Sequence, residues 1–241
     1  MNKKISCIIL FFILSVGYSY ADKLNSFFQD ANNLYKQEKY EDALNLYERL
    51  EFQNKYSAEL FYNMSNAYYR LNNLGMAVLY NERAYLLKPR DEYIRYNRKL
   101  FNTITNQKMP LWENAVTFFS INELLYSVLF FYTSFFILLI LSGRFYPRWI
   151  YWTKIAVLSL LILFACWSFV VYWDYYHTKH AVVLNDNVNV YSGPDTDNVV
   201  GFTAPKGKKA QIITVNGSWF EVGVKDEGLK GWVEKENVLV I

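Results

Sequence analysis

Few side chains in this sequence have both the type and the spacing for covalent or metal chemistry. Of its 241 residues, two are histidine and two are cysteine. His177 and His180 stand three positions apart, an interval at which one helix face can present two imidazoles. No cluster of Cys, Asp or Glu stands beside them at a metal-ligand spacing, so they read as polar residues at an interface. Cys7 falls in an N-terminal apolar leader and Cys166 in a later apolar run, which leaves no disulfide within one mature chain. There is no nucleophile–base pair and no phosphate-cradling glycine loop. The expectation is therefore a protein with no catalytic residues, no cofactor and no metal. Recognition chemistry is better represented: tyrosine, tryptophan and asparagine recur at regular intervals, and the two aromatics are types that dominate contacts between proteins. Nucleic acid is excluded as a partner, because the net charge is only +3 and neither soluble stretch concentrates a basic face.

Those recognition residues must be positioned by elements on either side of a membrane region. Lys3 and Lys4 precede an apolar run from Ile5 to Val16, and Ser19-Tyr20-Ala21 offers a cleavage site, so residues 1–21 read as a signal peptide. An uncleaved anchor helix is the alternative, and both readings send the next segment outward. Leu124–Leu141 and Ile155–Trp173 are each long enough to cross about 30 Å of hydrocarbon. The loop between them, 142–154, carries Arg144, Arg148 and Lys154 and no acid, which assigns it to the cytoplasm. Residues 22–110 and 181–241 then share one extracytoplasmic space. Residues 111–123 read as an interfacial linker bearing Trp112, Phe118 and Phe119. Glu123, at the margin of the first span, reads as an edge residue in preference to part of an ion path.

Within the repeat domain, 22–110, the sequence repeats from Leu24 to Asp91 at an interval of 34. Phe27 returns as Phe61, Asn32 as Asn66, Tyr35 as Tyr69, Ala43 as Ala77, and Glu48-Arg49 as Glu82-Arg83. A period of this length marks helix–turn–helix units that bury their apolar faces by stacking. The units are 24–57 and 58–91, with a capping helix opening at Asp91-Glu92-Tyr93-Ile94. Ala31, Leu34, Tyr40, Ala43 and Tyr47 in the first unit, and Ser65, Tyr68, Ala77, Ala84 and Pro89 in the second, resemble the tetratricopeptide repeat. Asn81 departs from that pattern where an aromatic is usual. The resemblance implies a peptide-binding groove lined by the first helix of each unit. Its exposed lining would be Phe28, Asn32, Tyr35, Tyr62, Asn63, Asn66, Tyr69, Arg70, Tyr93 and Asn97. Asn63 and Asn97 match positions that bond a peptide backbone in that family. Phe28 and Tyr93 replace the basic residues of its carboxylate-clamping members, so the groove should be aromatic and polar. The competing reading has these aromatics only packing the repeats together.

The tail changes period. Seven short stretches from Ala181 to Ile241 alternate as strands, with turn signals at Asn216-Gly217 and within Lys225–Lys230. Asn189-Val190-Tyr191-Ser192-Gly193-Pro194, Trp219-Phe220-Glu221-Val222 and Gly231-Trp232-Val233 resemble a bacterial SH3 domain. That likeness implies a surface for cell-wall peptides at Tyr191, Asp195, Trp219 and Trp232. The two tryptophans also fit the core of a 60-residue barrel, and that reading is favoured.

The fold class is thus a multi-domain membrane protein: all-α tetratricopeptide-repeat hairpins, two transmembrane helices and an all-β SH3-like barrel. The whole order of parts resembles the BatE-type proteins of bacterial aerotolerance operons. This resemblance implies a non-catalytic scaffold or adaptor in the bacterial inner membrane, with a role in aerotolerance or envelope stress. It also implies von Willebrand A-domain Bat proteins as partners and, indirectly, a MoxR-type ATPase. A wall sensor reading peptidoglycan through the tail is the alternative.

Overall fold

The computed structural model of the chain describes residues 26–108, 118–144, 148–224 and 226–241. The expected leader at 1–21, Trp112 and the turn residue Lys225 lie outside the described residues.

Five helices form the repeat region: α1 (26–36), α2 (Tyr40–Phe52), α3 (Ala58–Arg70), α4 (Leu74–Leu87) and α5 (Glu92–Ile104). The starts of α3, α4 and α5 are set by short polar side chains that accept otherwise orphaned N–H groups. Ser57 accepts from Leu60 N, Asn73 from Met76 N, and Asp91 from both Tyr93 N and Ile94 N. Their ends carry the period as well. Glu38, Asn72 and Asn106, one repeat apart, all adopt positive φ just beyond α1, α3 and α5, a conformation that closes helices. The cap is therefore the first helix of a third unit. Within the stack Ala31, Ala43, Ala67 and Ala84 are fully buried, and Ser65 Oγ donates to Ala77 O at 2.7 Å where α3 and α4 approach closely.

Two long apolar helices follow, α6 (Ile121–Arg144) and α7 (Arg148–His177). Both extend beyond the expected spans and both are long and apolar enough to cross a membrane. They pack through Phe131 and Phe164, whose ring centroids are 5.3 Å apart. A capping box opens α6: Ser120 N donates to Glu123 Oε2 (2.9 Å) and Glu123 N to Ser120 Oγ (3.3 Å). Glu123 also pairs with Arg90 in the α4–α5 turn, and that guanidinium lies over the Phe118 and Phe119 rings. The acid at the margin of the span thus caps a helix and ties it to the repeats. The two histidines part company. His177 stacks on Trp173 in the last turn of α7, while His180 opens the first strand, so no helix face presents both.

The tail is one antiparallel sheet with strand order β3-β2-β6-β5-β4-β1-β7. The strands are β1 (His180–Val183), β2 (Val188–Tyr191), β3 (Val200–Ala204), β4 (Lys209–Asn216), β5 (Trp219–Val224), β6 (Leu229–Glu234) and β7 (Val238–Val240). Val183, Val190, Val222 and Val233 head its buried core. Gly231 is required where β6 meets β2, since a Cβ there would sit 2.6 Å from Tyr191 O. The β4–β5 loop is Gly217-Ser218, one residue later than the Asn216-Gly217 turn expected. Asn216 pairs with Trp219, and positive φ falls on Gly217, the first loop residue, as a type II′ turn demands.

The repeats and the tail form one body. Helix α4 is buried almost all round, by α3 and α5 on one side and by β1 on the other. Val182 joins Ala77, Val78, Leu79 and Phe101 in a shared apolar cluster. At Gly75 an added Cβ would lie 2.9 Å from the Leu184 backbone. Beside this cluster sits a buried charge group. Glu82 accepts from Arg98 Nε at 2.9 and 3.1 Å and from Lys209 Nζ at 3.0 Å. Gln107 brackets the Lys209 backbone with two hydrogen bonds, of 2.9 and 3.2 Å. Burial alone pushes the Glu82 carboxyl up, but the charges and hydrogen bonds of Arg98 and Lys209 more than reverse this and hold it at about 2.

Glu82→Gln removes the charge that Arg98 and Lys209 share while keeping the side-chain shape. The expected loss is about 3–5 kcal/mol of unfolding free energy, read by urea titration of the detergent-solubilised chain. In the native protein the contribution of Glu82 is complete above its ordinary value of 4.5 and lost as pH falls toward about 2. Melting temperatures between pH 5 and pH 2 should therefore fall, and fall less steeply in the Glu82→Gln chain.

Candidate functional site

Helices α1, α3 and α5 bring the ten expected groove residues onto their faces, but not equally into solvent. Tyr69, Arg70 and Tyr93 are exposed, and Tyr93 is 72% accessible. Phe28, Asn32, Tyr35, Tyr62, Asn63 and Asn66 are half-buried. Asn97 is buried, contrary to its expected exposure, because its amide is turned into the repeat stack.

The asparagines explain this arrangement. Asn63 Nδ2 donates to Asn32 Oδ1 at 2.9 Å, and Asn97 Nδ2 donates to Asn66 Oδ1 at 2.7 Å. Each bond spans 31 residues, and the second repeats the first one unit later. Tyr47 OH adds a 2.7 Å bond to Asn32 Oδ1 from below. Burial pushes the Tyr47 phenol up, so it stays a neutral donor there. Among the described residues the ladder uses only half of each amide. Asn66 Nδ2 and Asn63 Oδ1 retain a donor and an acceptor, the pair of functions that an extended peptide backbone satisfies. Around them lie Tyr62 against Tyr93 at 6.5 Å and Tyr69 against Phe101 at 5.4 Å. The aromatics both pack neighbouring helices and present a flank.

On the tail, Tyr191, Trp219 and Trp232 come together. Tyr191 meets Trp219 edge-on at 5.6 Å and stands opposite Trp232 across the β2–β6 pair. Both tryptophans are half-buried and lie outside the barrel core, which corrects the favoured core reading. Strand alternation is the reason. Phe220, Val222 and Val224 take the inner face of β5, which turns Trp219 and Glu221 outward. Gly231 and Val233 do the same for Trp232 on β6. Glu221, opposite Trp232, is a member of this strip that the sequence reading missed, although its place two residues after Trp219 was the available signal. Asp195 is exposed in the β2–β3 loop, where its carboxylate accepts from Asp197 N at 3.1 Å.

Residues 186–238 match the family described as Bacterial SH3 domain. The C-terminal domain is a bacterial SH3 domain. No curated protein matches the chain. Two solved structures that match are both of SycD, the type III secretion translocator chaperone of Yersinia enterocolitica. One, in complex with a peptide of the translocator YopD, is 13% identical with a TM-score of 0.34; 60% of this chain covers 94% of it. The other, an alternative dimer, is 15% identical with a TM-score of 0.33; 60% of this chain covers 93% of it.

Two substitutions separate structural from surface roles in the groove. Asn66→Ala leaves the buried Asn97 amide without its acceptor and should cost about 1–3 kcal/mol. Tyr93→Ala, at an exposed side chain, should change stability by no more than about 0.5 kcal/mol. Urea unfolding of both variants measures the difference.

Proposed function

We propose that this chain is a non-catalytic, membrane-anchored scaffold that binds protein partners through the groove on α1, α3 and α5. The observation that carries this reading is the asparagine ladder, whose remaining donor and acceptor stand on α3 with Tyr62 and Tyr69. Helices α6 and α7 hold the scaffold in the bilayer as an antiparallel hairpin. The cations Arg144, Arg148 and Lys154 at its far end favour a cytoplasmic turn there, with the repeats and SH3 domain outside. The resemblance to BatE-type proteins narrows the partners to von Willebrand A-domain Bat proteins, reached in turn by a MoxR-type ATPase, and the role to aerotolerance or envelope stress.

The outward strip of Tyr191, Trp219, Trp232 and Glu221 supports a second reading, a sensor that binds peptidoglycan peptides. The two readings predict different losses. In crosslinked membranes solubilised in mild detergent, the tagged chain should recover a von Willebrand A-domain membrane protein. Tyr69→Ala with Tyr93→Ala should reduce that recovery at least about tenfold, on the scale of one or two interface anchors, and Trp219→Ala should leave it unchanged. Retention of the full chain on purified sacculi, abolished by Trp219→Ala and indifferent to the groove pair, would instead make the tail the working surface.

A further inference from the structure

Two contacts fix which edge of the repeat array faces the bilayer. Arg90, in the α4–α5 turn, pairs with Glu123 in the first turn of α6. Arg83, near the C-terminal end of α4, donates to Val240 O at 3.3 Å, and the adjoining Ile241 N donates to His180 O at 3.0 Å. His180 follows the end of α7 by three residues. Both connections to the long helices therefore reach the body at the C-terminal end of α4. Consecutive helices joined by short turns run antiparallel, so the α2–α3 turn lies on the same edge as the α4–α5 turn. Hydrogen bonds from Tyr80 (2.7 Å) and Arg83 (3.0 Å) to Glu51 hold the ends of α2 and α4 side by side.

That edge carries large apolar side chains that the described residues leave exposed. Phe52 is 90% exposed, Tyr56 57%, and Leu86 and Leu87 41% each. Phe52 and Leu86 are equivalent positions, one period apart, in the last turns of α2 and α4. Lys55 and Lys88 flank them on the same turns. Of the acids on this edge, Glu51 is paired with Arg83, Glu123 with Arg90, Asp91 is engaged as the α5 cap, and Glu59 and Glu92 stand in the first turns of α3 and α5. Exposed apolar groups on an edge of charged side chains are what the boundary between acyl chains and headgroups accepts. The link from Arg90 to Glu123 puts this edge beside that phase.

Resting on the membrane reading above, we propose that the α2–α3 and α4–α5 turns sit in the headgroup layer of the bilayer crossed by α6 and α7. Phe52 and Leu86 enter the acyl boundary, and Lys88 meets lipid phosphates. The repeat helices then stand upright on the membrane, and the groove runs parallel to its plane.

The test uses the full chain with Cys7→Ala and Cys166→Ala, reconstituted into phosphatidylethanolamine–phosphatidylglycerol vesicles. Nitroxide is attached singly at Phe52→Cys, Leu86→Cys, Gln37→Cys on the opposite edge, or Ile137→Cys within α6. Power saturation reads access to oxygen against access to a water-soluble nickel chelate. The oxygen-to-nickel ratio at Phe52→Cys and Leu86→Cys should exceed that at Gln37→Cys several-fold. Equal ratios at all three turns, with a lipid-like value at Ile137→Cys, would overturn this inference alone. A water-like value at Ile137→Cys would overturn the membrane reading and the inference together.

Discussion

The structure depends on one carboxylate kept in the interior. Glu82 belongs to α4, its nearest cation Arg98 to α5, and its second cation Lys209 to β4 of the SH3 domain. All three side chains are buried. An ionised carboxylate loses its hydration there and is stable only while both cations remain in place. The charge therefore demands the third helix of the array and the docked SH3 domain at once. The equivalent acid of the first unit, Glu48, shows what happens without that cover: it is exposed and accepts from Tyr68 OH at 2.7 Å. One repeat position serves two environments, because the SH3 domain packs on the second unit.

Around this group the interface gains direction. An apolar cluster at Val182, Ala77, Val78 and Phe101 supplies burial but tolerates sliding. The hydrogen bonds of Lys209 to Glu82 and Gln107, and of the buried Lys208 to Asn106 O, do not. Each is satisfied in one register of β4 against α4 and α5. Gly75 reinforces the same register by letting the Leu184 backbone approach where a methyl group would collide.

Sequence period made the local order readable and left the long-range order hidden. The 34-residue repeat located α2 to α5, since Ala43 and Ala77 or Tyr35 and Tyr69 are determined by neighbouring helices. Strand alternation located the SH3 domain for the same reason, although it also held the evidence that Trp219 and Trp232 face outward. Docking was illegible because its charges look ordinary. Glu82 matches Glu48 within the repeat, and its partner Lys209 lies 127 residues away. One trace was available: Leu74–Tyr80 is almost unbrokenly apolar, while α2 alternates acidic and apolar residues. A helix apolar all round needs cover on every side. The groove was legible in residue type but not in degree of exposure, because the Asn66–Asn97 bond depends on how far adjacent units rotate.

A body built this way constrains how its two surfaces communicate. Ligands on the groove and on the Tyr191–Trp219–Trp232 strip influence each other only if the body has a second arrangement that they bind differently. Parting α4 from β1 and β4 would strip Lys209 from Glu82, leaving two buried charges short of a partner, and would expose Val182. Such a state is costly at neutral pH, where Glu82 is fully ionised. The groove and the strip are consequently held at a fixed separation, with Arg90 and Glu123 joining the repeats to α6 and β1 following α7 after two residues. Fixed separation suits the scaffold role proposed above. A switch would require the opposite: a loosely charged interface with two satisfied registers, which the Glu82 group does not allow.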